Sequence, residues 1–126
     1  MAELSEHQLR VKQNFIDARG YWNAYLDDML ALDPDFLQAY LDFSAVPWKT
    51  GTLEPKIKEL IYVALDGSAT HLYEPGLRQH IRNALRLGAT KQEILEVLQL
   101  VSVVGIHSCT VGVPILVEES DRLESP

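Results

Sequence analysis

The residues of this chain that can do chemistry are few: four histidines, one cysteine and a set of carboxylates among 126 residues. One stretch, "YEPGLRQHIRNALRLGATKQEILEVL" (73–98), places His80 one helical turn after Gly76 and one before Ala84. It lies at the edge of an apolar stripe of Leu77, Ile81, Ala84 and Leu85. Imidazole titrates near neutral pH, so a histidine there can give or take a proton. The plainer reading is a partly buried histidine bonded to a backbone carbonyl. Glu59 stands just before the apolar run "LIYVAL" (60–65), opposite Ile57, Ile61 and Ala64. It is a solvated helix charge or, if buried beside His80, a carboxylate that orients the ring.

His71 and Tyr73 sit in the loop leading into the His80 helix, where side chains converge on a cleft. His107 comes at the end of a very apolar helix, just past Gly105, and Trp48 lies in a loop between Pro47 and Lys49. A tryptophan there suits stacking over a planar substrate, although each of these four residues also has a packing explanation. Arg78 and Arg82 flank His80 in sequence but point away from it on an ideal helix, which suits salt bridges between subunits better. The four histidines, at 7, 71, 80 and 107, show no i, i+4 pairing, so no metal is expected. The single cysteine, Cys109, excludes an intramolecular disulfide and a Cys-x-x-Cys site and reads as an inert buried thiol.

The elements that must position these residues read as helices. "SEHQ" (5–8) and "TKQE" (90–93) are capping boxes. Asp33-Pro34 and Pro55 are helix starts, with proline at a first-turn position where its missing N–H is no loss. The first helix is expected to run past Gly20 into "YWNAYLDDMLAL", and Pro47 to end the next, leaving "PWKTGT" a loop. "DGSATHL" (66–72) reads as a loop, and Gly88 as the residue that closes the His80 helix. After Gly105 the pattern predicts a shorter helix or irregular segment, kinked or started at Pro114, and a frayed tail. The expectation is an all-α single domain of about six helices. It comprises N-terminal helices (1–46), a core (47–118) and a tail (119–126).

A net charge of −7 argues against a nucleic-acid partner, which would need clustered Lys and Arg. The N-terminal residues carry no signal-peptide pattern, and no apolar run is expected to reach the roughly 18 residues of a membrane span. A cytoplasmic protein without membrane contact follows. "LIYVAL" and "EILEVLQLVSVVG" are apolar on nearly every face, more than one small domain covers, which predicts a homo-oligomer with Tyr62, Val97 and Val101 at its contacts.

The order "EPKIKELIYVAL", loop, "YEPGLRQHIRNALRLGATKQEILEVLQLVSVVG" resembles the carboxymuconolactone decarboxylase family, which includes alkylhydroperoxidase D-like proteins. The resemblance covers about residues 48–116. It implies a small helical bundle assembling as a ring, by that resemblance a hexamer built as a trimer of dimers. The redox members carry a glutamate, a Cys-x-x-Cys pair and then a histidine. Here Glu59 and His80 match the outer positions, while Tyr73 and Gly76 stand at the cysteine positions. Without two thiols no dithiol cycle reduces a peroxide. The chain therefore resembles the thiol-free branch, whose naming enzyme removes CO2 from a carboxylated muconolactone without a cofactor. The resemblance implies His80 as general acid and Glu59 as its orienting partner. Tyr73, His71, Trp48 and His107 would then line the site of a small carboxylate substrate. A family member without catalytic activity, acting in binding or assembly, is the alternative.

Overall fold

The structure, a computed structural model, describes residues 3–125. The described residues form helices and turns without strands, and six of the helices are eleven residues or longer. The chain packs as two units dividing after Leu53, seven residues beyond the division after residue 46 expected from the sequence.

In the first unit α1 (Glu6–Arg19) begins with both arms of the Ser5/Gln8 capping box in place. It ends at Gly20, whose left-handed backbone (φ 75°) directs its N–H to the Ile16 carbonyl at 2.8 Å. Glycine adopts that conformation without a Cβ penalty, so it stops the helix here where the sequence pattern predicted continuation. A 3-10 turn (Ala24–Leu26) and the short α2 (Asp27–Leu32) follow. Asp33 caps α3 (Pro34–Ser44) by accepting from the Phe36 N–H at 2.9 Å. The expected loop after Pro47 is instead α4 (Val46–Thr50), with Pro47 in its first turn, where proline fits a helix. Phe15, Leu30 and Leu37 are the largest fully buried side chains of the core formed by α1, α2 and α3. Each contributes about 1.5–3 kcal/mol of transfer free energy.

The second unit is α5 (Pro55–Asp66), α6 (Glu74–Arg86), α7 (Lys91–Val101), a 3-10 turn (Ser102–Ile106) and α8 (His107–Glu124). Thr90 and Glu93 complete the second capping box. Helix α5 packs mainly on α6 and also on α7, around Val63, Ala84, Ala89 and Ile94. The packed face of α5 is the opposite of the expected one. Ile57 and Ile61 are exposed, whereas Glu59 and Val63 face inward. An apolar stripe shows that a face can be buried but does not name its neighbour.

Two further expectations fail at the C-terminal end. Helix α8 runs 18 residues through Gly112 and Pro114, and the expected frayed tail is helical to Glu124. Every residue from 102 to 125 is exposed, Cys109 included, so the thiol is not buried. Residues 97–117 carry no charge. The helical stretch Lys91–Glu124 is long and apolar enough to cross a membrane by length and composition, with a mean hydropathy of 2.0 over its best 18-residue window. The sequence expectation that no apolar run reaches that length is therefore corrected. That expectation had Gly105 interrupting the apolar stretch and Pro114 kinking or starting the next helix, whereas Gly105 lies in a 3-10 turn and Pro114 inside α8, so the chain stays helical through both.

Candidate active site

Helix α5 presents Glu59, Tyr62, Val63 and Asp66 on one side, at the three- and four-residue spacing that stacks side chains along a helix. Helix α6 faces it with Gly76, Gln79, His80 and Ala84, its buried residues. Glu59 and His80 meet at this interface, 3 % and 6 % exposed. His80 Nδ1 lies 2.7 Å from Glu59 Oε2. An ionised carboxylate only accepts, so the proton of this bond belongs to Nδ1, and the pairing answers the cost of burying the carboxylate. Among the described residues no buried side-chain polar atom lacks a partner.

The Tyr62 ring stacks on the imidazole at 4.5 Å between centroids, with 25° between planes, and fixes its tilt. Nε2 faces a second carboxylate, Asp66 Oδ2, at 3.7 Å. The other oxygen of Asp66 lies 3.1 Å from His71 Nε2. Asp66 is the last residue of α5, and its carbonyl accepts from the Tyr73 N–H at 2.9 Å, which closes the loop into α6. Gly76 makes room: a Cβ there would collide with Asp66 Oδ2.

The structure thus brings Glu59, His80 and His71 together, with Tyr73 beside His71 at 5.9 Å between ring centroids. Sequence reasoning missed Asp66 by assigning it to the following loop. Its place seven residues after Glu59, two turns along the same face, was the available signal. Trp48 belongs to the first unit, where the Arg19 guanidinium stands over its ring at 5.6 Å. His107 is exposed at the start of α8 and bonds within its own turn to Thr110, 3.1 Å away. Arg78 pairs with Glu74 at 2.7 Å and Arg82 donates to Gln79 at 3.4 Å, so both arginines are engaged along α6 itself. An open groove of about 230 Å³ runs beside Glu74, Leu77, Arg78 and Ile81. Among the described residues no group of three or more His, Cys, Asp or Glu is arranged to hold a metal ion.

The candidate site is thus a buried glutamate–histidine pair on two facing helices. Residues 34–106, more than half the chain, match the model of the carboxymuconolactone decarboxylase family. This chain belongs to that family. It is similar to a crystallised protein from Burkholderia xenovorans LB400, provisionally named a gamma-carboxymuconolactone decarboxylase subunit, at 52 % identity with a TM-score of 0.90. The match covers 96 % of this chain and 49 % of that one, so the chain spans about half the length of that relative. No curated protein matches the chain. The all-α alkylhydroperoxidase D-like fold expected from the sequence is the one found.

Proposed function

We propose that this family member is a cofactor-independent carboxy-lyase acting on a small carboxylated unsaturated lactone or oxo-acid. The observation that carries the reading is the buried Glu59–His80 pair, which fixes the ring through Nδ1. When the substrate carboxylate leaves as CO2, its bonding pair passes into the conjugated carbonyl. Preorganised donors stabilise the dienolate, and His80 delivers a proton to carbon through Nε2. Glu59 holds the ring and balances the imidazolium. Tyr73 and His71, at the mouth of the α6 loop, contact the substrate.

Glu59 and Asp66 leave the immediate surroundings of Nε2 acidic. The cation that holds a substrate carboxylate therefore comes from beyond these residues, and a neighbouring copy in a homo-oligomer supplies it in this reading. The name of the Burkholderia relative supports gamma-carboxymuconolactone as the first substrate to try. A cytoplasmic, cofactor-free assembly accompanies the proposal. The test is CO2 release from gamma-carboxymuconolactone by the purified protein. His80→Gln is expected to lower kcat by about a hundredfold or more, the usual range for losing a general acid. Turnover by the variant at the wild-type rate would remove His80 from the mechanism.

A further inference from the structure

Decarboxylation followed by protonation consumes one proton per turnover. The C–C bond to the carboxylate breaks, CO2 departs, the electron pair stays on the carbon skeleton, and the proton donated by His80 remains in the product. His80 must then be recharged. Nδ1 offers no route, because it is bonded to the buried Glu59. Nε2 does, because it faces Asp66, and Asp66 in turn faces His71. Side-chain exposure rises along this series from 4 % at Glu59 to 8 % at His80, 14 % at Asp66 and 54 % at His71. The series leads from the buried acid to solvent without leaving ionisable groups.

Two backbone features hold it. A Cβ on Gly76 would overlap the Asp66 carboxylate, so glycine is what admits this carboxylate to the face of α6. Leu72, with φ 43°, takes the left-handed conformation that non-glycine residues avoid, between His71 and Tyr73 in the loop that returns to Asp66.

We infer that Asp66 and His71 form the proton-return path of His80. His71, as its neutral Nε2–H tautomer, passes that proton to Asp66 Oδ1 across 3.1 Å while Nδ1 takes one from solvent, and a flip of the exposed ring restores the starting tautomer. Rotation of the carboxyl group presents the acquired proton to His80 Nε2. The 3.7 Å gap there exceeds a hydrogen bond, and a bridging water or a small rotation closes it. One proton moves from solvent to His80, and no electron moves. The inference rests on the reading of His80 as the acid. Asp66 and His71 are proton-supplying residues, distinct from the group that protonates substrate.

The experiment needs no substrate. In the full chain labelled with 15N-histidine, NMR reads the exchange of the His80 Nε2 proton with water at low buffer concentration. Asp66→Asn and His71→Gln are each expected to slow that exchange more than about tenfold. This is less than the hundredfold typical of positioned acid–base groups, because water substitutes in part. His71 is exposed, so its variant keeps the fold even if Asp66→Asn does not. Added imidazole should restore exchange in His71→Gln. Exchange within twofold of wild type in His71→Gln would overturn the path. With gamma-carboxymuconolactone, Asp66→Asn, which removes no substrate contact, should lose kcat at unchanged KM. A wild type that leaves the lactone intact while its exchange depends on His71 would sink the substrate reading and spare the path.

Discussion

The chemistry of this chain comes down to one imidazole held between two carboxylates, and to the glycine that lets the second one in. Gly76→Ala places a methyl against Asp66 Oδ2, closer than the two atoms can approach. Something must shift, and the carboxylate is the freer partner because it ends a side chain, whereas the Cβ is fixed to the helix. We expect Gly76→Ala to move Asp66 away from His80 and to cost about 1–3 kcal/mol, the range for overpacking a tight interior. The wild-type and variant unfolding midpoints in urea, with a crystal structure of the variant, check this. An Asp66 that stays in place at unchanged stability would show that the helices yield instead. The absence of a thiol pair near His80 carries its own expectation. Cys109 is exposed on α8, so Cys109→Ser should leave fold and turnover unchanged, and neither form should consume peroxide with a dithiol reductant. At this scale Glu59 and His80 were legible because they match family positions. Asp66 was not, because a carboxylate followed by glycine looks like a loop residue until the facing helix is known.

At the scale of elements, the signals that worked are local and covalent. Ser5/Gln8, Asp33-Pro34, Pro55 and Thr90/Glu93 start helices where their backbone chemistry requires. The signals that misled depend on partners. Ile57 and Ile61 look like a core stripe on α5 yet stay exposed, and Pro114 looks like a kink or a helix start yet lies within α8. The first unit adds a titration. Burial pushes the Tyr21 hydroxyl pKa well above its ordinary 10.0, against the opposing charge of Arg19. The folded form therefore keeps its proton in a range where the unfolded chain loses it. Stability from this residue is complete below pH 10 and falls as pH rises beyond it. Tyr21→Phe cannot ionise, so it should lose less stability than wild type between pH 9 and pH 11. Urea midpoints at both pH values decide it, and parallel losses in the two proteins would show that Tyr21 does not govern the alkaline limb.

At the scale of the molecule, the apolar surface of the second unit sets the question. Val97 packs on the core of its own chain and Tyr62 stacks on His80, and both stay half-buried. The uncovered residues lie further along: Leu100, Val103, Val104, Val111, Ile115 and Leu116 are all 44 % exposed or more. A surface this apolar is rarely left bare in water. In the proposed reading a second copy of the chain is the occupant and also brings the cation for the substrate carboxylate, and the family resemblance implies a hexamer. The alternative for the same uncharged stretch is a lipid bilayer. Val111→Lys separates these cases. On the free surface of a monomer the change costs within about 0.5 kcal/mol, whereas an unpaired charge buried in an interface costs several kcal/mol. We expect wild type to sediment at micromolar concentration as a multiple of 14.2 kDa, and Val111→Lys to shift toward the single chain or to unfold. A monodisperse 14.2 kDa wild type, unmoved by the lysine, would end the assembly claim and return the missing cation to this chain's own residues. Wild type that partitions into phosphatidylcholine vesicles, and is released from them by Val111→Lys, would assign the same face to lipid.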